Sequence, residues 1–500
     1  MHVFLPMIEL LKKNKFSFLI IFLIFIFGIT FINKYPHSIF HPTSDTYEYA
    51  DIARNLLKYK KFVVHNVYSL QLAFDFAREI PPPSIVRVPM YPITISFFFK
   101  IFGISDRTIF LTSFTFYILS GILLVIFLDK FNIDEKIKNL TLLFFMFNPI
   151  FLDLTLRGLS EPFALFIFIL FLFFLFHGKK NKSIFISGFF LGIFTLTRYY
   201  LSLFFLIPVF YYFYKKGKTQ KEIVLFLLGV FLPLLPWFFR MYRITGIPFF
   251  SLAFYSLDGY ERVNIPYITS SSEIFSNFLE FIDKKLDSLM FYLKTLSNIV
   301  PFYFLPFSLI YVFSKKDEDL EVLSKFFFIS LIVFSILYGI INPEHRFLFY
   351  LSFFVILFSL IFIREYQKFF NFFIVFTLLL VVHEDRKIIK EAMERNNNYF
   401  KSEKVFEEVK RITKENEFLI TNSDALLGFY TERSCIFPLT YKEDYRYLFK
   451  IVPVQGFFVY RGRFKLFYMK YDFGDIKNMV ETEFPFKKKF EDGSLIYLKK

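Results

Sequence analysis

Long apolar runs separated by short charged stretches organise the first 383 residues. Lys12, Lys13 and Lys15 precede an unbroken apolar run over 16–32. With no small-residue cleavage site after it, this run reads as an uncleaved first membrane span with its lysines cytoplasmic. Further runs cover 90–103, 109–128, 140–152, 163–176, 184–197, 201–214, 223–239, 292–313, 326–341, 347–363 and 369–382. Together they predict an all-α polytopic membrane bundle of about 11–13 transmembrane helices. Several runs fall short of the roughly 20 residues that a straight helix needs to cross about 30 Å of hydrocarbon, which predicts half-helices or breaks lining a cavity.

Loop charges orient the bundle. Lys179, Lys180 and Lys182 precede one helical pair and Lys215, Lys216, Lys218 and Lys221 follow it, so both loops read as cytoplasmic. Thr197, Arg198 and Glu161 then fall on the outer side, the 240–290 loop is external, and the polar segment 384–500 is extracytoplasmic. One count fails: three apolar segments lie between 90 and 160, and three crossings would bring Glu161 inside. The 140–152 segment is therefore expected to be re-entrant or interfacial.

Two polar regions carry structure of their own. The loop over 33–89 is too long for a connector, and loops of that length are commonly functional. Within it, Tyr49, Ile52, Ala53, Leu56 and Leu57 stand at helical spacing opposite Glu48, Asp51 and Arg54, which predicts an amphipathic helix on the membrane surface over 47–59. The Pro81, Pro82, Pro83 run predicts an extended stretch. From 399 onward, helical and strand patterns alternate, with strands expected at 418–421, 456–460 and within 484–498. The division is thus a transmembrane bundle over 1–383 with the loop 33–89, and a small extracytoplasmic α/β domain over 384–500.

Composition supports the membrane reading. Of 500 residues 55% are hydrophobic, with 83 Phe and 31 Tyr but a single Trp, which excludes an ordinary soluble enzyme. The net charge of +15 comes from Lys and Arg beside apolar runs, where they meet anionic headgroups, so nucleic acid is not an expected partner and membrane lipids are. The lone Cys435 excludes a disulfide framework or a cysteine metal cluster and reads as a small buried apolar residue. No glycine-rich phosphate loop and no zinc-spaced cluster is present.

Candidate chemistry gathers on the predicted outer face. Asp45 lies just beyond the first span, where it serves equally as a helix cap or as a base. Arg87 opens the run Arg87-Val88-Pro89-Met90-Tyr91-Pro92 at headgroup level, suited to a lipid phosphate or to snorkelling. Glu161 follows Ser160 at a helix start. Arg198, Arg240, Arg243 and Arg346 are further outer-side cations, of which helix ends commonly use half as anchors. His345 has no companion ligand in register and reads as an interfacial hydrogen-bonding residue. Carboxylates ringed by arginines fit chemistry in which a phosphate departs.

The order of these pieces resembles the membrane-embedded GT-C glycosyltransferases, in particular the protein O-mannosyltransferase and aminoarabinose-lipid A transferase group. The matching pieces are Ser44 to Leu56 with its acid after the first span, Arg87 to Pro92, Ser160-Glu161-Pro162, Thr197-Arg198, Pro236-Trp237 with Arg240, and Asn342 to Phe347. The resemblance implies inverting transfer of a sugar from a polyprenyl-phosphate donor to a lipid, glycan or protein hydroxyl on the extracytoplasmic side of a cell membrane. Asp45 would be the base and Glu161 would orient the substrate; Arg87, Arg198, Arg240 and Arg346 would bind the donor phosphate; Tyr47, Glu48 and His345 would contact substrate. Thr46 stands where the protein mannosyltransferases carry a second acid, which puts a protein acceptor in doubt. No cofactor or metal is required, since arginines serve a monophosphate; some members of the wider clan use a divalent ion.

Two other classes compete. A transporter or flippase of a lipid-linked saccharide would also place polar residues inside a bundle, but predicts paired inverted repeats, and none is found in the sequence. A structural protein with an extracytoplasmic interaction domain predicts that Asp45→Asn is silent.

Overall fold

In the computed structural model, residues 13–41, 45–68, 71–72, 74–131, 133–178, 180–198, 200–249, 304–314, 317–341, 345–439, 442–462 and 472–499 are described. Expectations for the loop beyond 249 and for the run starting at 292 fall largely outside them. In chain order the helices are α1 (Lys15–Lys34), α2 (Asp45–Tyr59), α3 (Met90–Phe102), α4 (Asp106–Leu128), α5 (Glu135–Met146), α6 (Pro149–Leu156), α7 (Glu161–His177), α8 (Asn181–Arg198) and α9 (Leu206–Lys215). They continue with α10 (Gln220–Thr245), α11 (Phe304–Phe313), α12 (Glu318–Ile341), α13 (Ser352–Ile363), α14 (Gln367–Ile412), α15 (Asp424–Thr431), α16 (Tyr445–Ile451) and α17 (Phe473–Glu483). The strands are β1 (Asn66–Val67), β2 (Phe418–Thr421), β3 (Cys435–Ile436), β4 (Val454–Val459), β5 (Phe486–Lys489) and β6 (Leu495–Leu498).

The chain divides into two compact units. One comprises Met1–Tyr35, Phe110–Phe238 and Leu279–Ala392; the other comprises Pro36–Ile109, Phe239–Phe278 and Met393–Lys500.

The first unit is helical and held by phenylalanine. Phe205 sits at its centre with ring centroids 4.3 Å from Phe334, 4.9 Å from Phe168 and 5.9 Å from Phe194. Buried hydroxyls tie helix to helix: Ser187 of α8 donates to the Phe171 carbonyl of α7 at 3.1 Å, and Tyr212 of α9 to that of Leu175 at 2.8 Å. Such bonds suit lipid surroundings, where backbone groups find no water. At Gly188 and Gly192 of α8, an added Cβ would strike the Phe226 and Val230 carbonyls of α10, so these two helices meet backbone to backbone.

Four described helices are individually long and apolar enough to cross a membrane: α1, α4, α10 and α12. The pair α5 and α6, bent by 46° at Phe147 and Asn148, is either a fifth candidate as one broken span or a re-entrant segment of the kind expected over 140–152. The break has a local cause. Asn148 caps α6 by accepting from the amides of Ile150 and Phe151, and Pro149 occupies the first turn. Shorter apolar helices among the described residues include α3, α7, α11 and α13.

The second unit is built on a six-stranded sheet of order β1-β3-β2-β4-β6-β5. β1, β3, β2 and β4 run parallel, and β6 joins antiparallel to both β4 and β5. The apolar Phe418–Thr421 forms β2 as its pattern predicts and lies fully inside the sheet. Phe457, Tyr445, Phe484 and Val480 fill the core beside it. Two expectations change. β1 comes from the loop over 33–89 and pairs Asn66 with Cys435 and Val67 with Ile436 of β3, so backbone hydrogen bonding makes the loop part of this α/β unit. The change of character near 384 is also no element boundary, because α14 is one continuous helix of 46 residues.

Candidate active site

Helix α2 is the platform of the site, and it is not a surface helix. Every residue from Thr46 to Asn55 is buried, including Glu48, Asp51 and Arg54 of the face predicted to meet water. Within its unit α2 packs on α3 and α15. Charges survive such burial only when paired, and the pairing is specific. Asp51 binds Arg54 one turn on and receives the His65 amide at 2.6 Å and the Asn55 amide group at 3.3 Å. Burial works against the Asp51 charge, yet His65 and Arg54 hold its carboxyl below the usual range. Arg54 continues to the carbonyls of Phe429 and Gly428, fastening α2 to α15.

Asp45 and Glu48, in the first turn, share Arg87. Its Nη2 donates to Asp45 at 2.8 Å and its Nε to Glu48 at 2.6 Å, while the guanidinium lies 5.2 Å from the Tyr49 ring. Tyr68 donates to the same Glu48 oxygen at 2.9 Å. The two acids differ in access, with side chains 26% and 1% exposed. Burial pushes the Glu48 carboxyl up, against the pull of Arg87, and neighbouring Asp45 adds to the rise. Asp45 is therefore the reachable carboxylate, held beside a fixed cation, and Glu48 lies behind it.

Tyr47, a predicted substrate contact, is fully buried and faces a second cluster. Asp106 receives the Tyr430 hydroxyl at 2.6 Å and that of Tyr47 at 3.4 Å, and lies 2.9 Å from Nδ1 of His37. The His37 ring stacks on Tyr399 at 3.5 Å. Burial, then the Asp106 charge, raises both phenols well above their ordinary range, so they remain donors. Sequence reasoning passes over Asp106; its only signal is an acid opening a long apolar run. Asp424, which opens α15, is likewise missed, and it is buried as well.

Arg240, a predicted phosphate ligand, donates to the Phe62 carbonyl at 3.0 Å and lies 4.9 Å from the Phe62 ring. Glu161 and Arg198 belong to the first unit, where they form a buried pair at 3.0 Å, with Ser160 3.4 Å from the same guanidinium nitrogen. The acid opens α7 and the base closes α8, so each complements its helix dipole. The side chains of His345 and Arg346 lie outside the described residues. Among the described residues no group of three or more His, Cys, Asp or Glu is placed to hold a metal ion.

Residues 83–238 match the family model described as dolichyl-phosphate-mannose-protein mannosyltransferase. In fold the chain is similar to the crystal structure of ArnT from Cupriavidus metallidurans bound to undecaprenyl phosphate, with a TM-score of 0.54 and 10% identity over 94% of this chain and 97% of that one. It is also similar to the Archaeoglobus fulgidus oligosaccharyltransferase in complex with Zn and sulfate, with a TM-score of 0.51 and 11% identity over 83% of this chain and 63% of that one. No curated protein is detectably similar in sequence. The sequence similarity to that family thus covers residues 83–238, and the fold of the chain is similar to that of both solved structures.

Proposed function

We propose that the protein transfers a sugar from a polyprenyl-phosphate carrier to an acceptor hydroxyl on the extracytoplasmic face, with inversion and with Asp45 as the general base. The observation that carries this reading is Asp45 itself, the reachable acid of an otherwise buried cluster, with a guanidinium 2.8 Å away. As the acceptor oxygen bonds to the anomeric carbon, its proton passes to Asp45. The bond from that carbon to the phosphate oxygen breaks, and the carrier leaves as a phosphate anion. A positioned base contributes about 10²–10⁴-fold to such a step. Protonation of Asp45 weakens its hold on Arg87, which then has a donor for the departing charge. Arg198, Arg240 and Arg346 are further candidates for that charge, Glu161 for orienting a substrate hydroxyl, and Tyr47, Glu48 and His345 for substrate contact. With arginines meeting the phosphate, no cofactor is needed.

A carrier of this class is supported by the ArnT neighbour, whose structure contains undecaprenyl phosphate. The acceptor is left as a lipid, glycan or protein hydroxyl. The N-terminus is assigned to the cytoplasm and α15 with its sheet to the extracytoplasmic side of the cell membrane. Helix α3 supports this topology. It is 13 residues long, about 20 Å, with Ile93, Phe97 and Ile101 exposed along one stripe and Tyr91, Ile95 and Phe99 buried on the other. We read a helix this short as lying in the interface rather than crossing. With α3 removed from the crossings and α5 with α6 crossing as one broken span, Glu161 returns to the outer side.

The test is transfer in proteoliposomes from short-chain polyprenyl-phosphate hexoses and pentoses, with and without Asp45→Asn. Loss of transfer by about 10²-fold or more, with membrane insertion and melting behaviour preserved, is the expected result. Full transfer by Asp45→Asn would remove the proposed base.

A further inference from the structure

The donors of the Arg87 guanidinium are divided between two acids. Nε and Nη2 lie along one edge of the group, and a single carboxylate commonly takes both at once in the bidentate pairing that arginine favours. Here Nε goes to Oε2 of Glu48 at 2.6 Å, while Nη2 goes to Oδ1 of Asp45 at 2.8 Å. Glu48 has a second oxygen to offer, since its Oε1 is buried and makes no hydrogen bond among the described residues. A charge so deeply buried is met by protein donors alone, which favours closing both oxygens on the fork. Glu48 nevertheless holds one nitrogen of the edge and not the other.

Tyr68 stands where the second bond would form. Its hydroxyl donates to the same Oε2 at 2.9 Å and accepts from Nη2 at 3.2 Å. The phenol oxygen thus bridges the acid and the nitrogen that a chelating Glu48 would join directly, and Nη2 also reaches Asp45. The sheet sets this reach. Tyr68 directly follows β1, the Phe437 amide donates to the Val67 carbonyl at 3.0 Å, and the Tyr68 ring lies 5.5 Å from the Phe437 ring. On the other side, the side-chain oxygen of buried Gln71 receives the Tyr68 amide at 2.8 Å, and the Gln71 amide donates to the Tyr68 carbonyl at 2.9 Å. A residue fixed at its backbone and its ring has little freedom in where its hydroxyl points.

We propose that Tyr68 is a positioning residue for the transfer step, whose hydroxyl keeps Glu48 from taking both donors of Arg87 and so reserves Nη2 for Asp45. The inference deepens the reading of Asp45 as base and rests on it for its effect on rate. Without the hydroxyl, Glu48 turns its open oxygen onto Nη2 and chelates the guanidinium. That withdraws the donor which orients Asp45 and which then meets the departing phosphate. The other titratable groups brought to this end of α2 are Tyr49 under the guanidinium, Tyr91 of α3 at 5.3 Å from the Tyr49 ring, and Asp424 of α15, on which the Glu48 charge acts. All three are buried, and a change at Tyr68 leaves each in place.

Tyr68→Phe removes the hydroxyl and keeps the ring beside Phe437. In proteoliposomes it is expected to lower kcat by about tenfold or more with KM held within about threefold, because the phenol acts through Arg87 and not on substrate. The acid limb of kcat/KM is expected to move up by roughly one pH unit, since Asp45 deprived of its cation takes up a proton more readily. In a Glu48→Gln background, Tyr68→Phe is expected to cost about threefold or less in kcat, because an amide has one oxygen and cannot chelate the fork. That background also lacks the buried charge, so the comparison stands even where the single variant melts early. An undiminished kcat with an unmoved acid limb, a loss confined to KM, or an equal loss in both backgrounds would overturn the proposal. A structure of the Tyr68→Phe enzyme reads the split without a rate: Nε and Nη2 are both expected on Glu48, and a guanidinium still bonded to Asp45 would refute it. Should Asp45→Asn retain transfer while that structure shows the chelate, the base assignment falls and the hold of Tyr68 on Arg87 stands.

Discussion

Nε of Arg87 meets Oε2 of Glu48 at 2.6 Å in a setting where the acid is 1% exposed. Removing the cation leaves that carboxylate buried and unpaired, and such losses cost about 3–5 kcal/mol. Arg87→Met should lower Tm sharply in detergent melts, and Glu48→Gln added to it should recover part of the loss. Arg87→Lys should fall between them, because an ammonium is a point donor and cannot span both acids as a guanidinium fork does. Equal Tm for Arg87→Met with and without Glu48→Gln would show that the two residues are not coupled.

Glu161 and Arg198 make the corresponding argument for the helical unit. Each single replacement, Glu161→Gln or Arg198→Met, strands a buried charge; the pair 3.0 Å apart should give a coupling energy of about 0.5–3 kcal/mol in a double-mutant cycle. Additive single effects would mean that each residue acts through other partners.

Glu432 predicts an acid limb of stability. It follows α15 in the left-handed region at φ 58° and binds Lys58 at 2.6 Å and Lys410 at 3.2 Å. Burial opposes its charge, yet these lysines, with Arg54, bring its carboxyl down to about 2. A depressed carboxyl contributes stability that is present above its unfolded value, near 4.5, and is lost as pH falls toward 2. At neutral pH, Glu432→Gln should cost no more than about 1 kcal/mol, and the stability curves of the variant and wild type should converge on acid titration. Parallel curves down to pH 2 would contradict this.

The contact of α8 with α10 tolerates no larger side chain. Gly188→Leu or Gly192→Leu would force the helices apart, since the atoms met are backbone carbonyls that cannot rotate away. Overpacking of this sort costs about 1–3 kcal/mol or more. The readout is Tm in detergent, with Ile193→Leu on the same helix as a volume-neutral control; an undiminished Tm for both glycine variants would refute the close approach.

Periodicity made much of the fold legible. The apolar runs predict the helices, and a short apolar run without polar alternation predicts β2. What periodicity does not carry is the partner. The face of α2 bearing Glu48, Asp51 and Arg54 predicts contact with water, but Arg87, His65 and α15 cover it, and none of these belongs to the helix whose periodicity is read. The same limit hides Asp424, whose Ser423-Asp424 start looks like any helix cap, and Asp106, whose role depends on Tyr430. Charge pattern finds Asp45 and Arg87 because both border apolar runs. It finds Arg240 on the same grounds, but not the Phe62 carbonyl and ring that hold this guanidinium.

The pairing of α2 with α15 also imposes an order on biosynthesis. Arg54 and its acceptor Phe429 are 375 positions apart, so at roughly 5–20 residues per second a ribosome delivers the second on the order of 20–75 seconds after the first. Throughout that interval the acidic segment waits without its cover. Arg54 and Asp51, three residues apart on one helix, give it a partner that needs nothing downstream, which leaves only the remaining charges to be shielded until the late strands arrive.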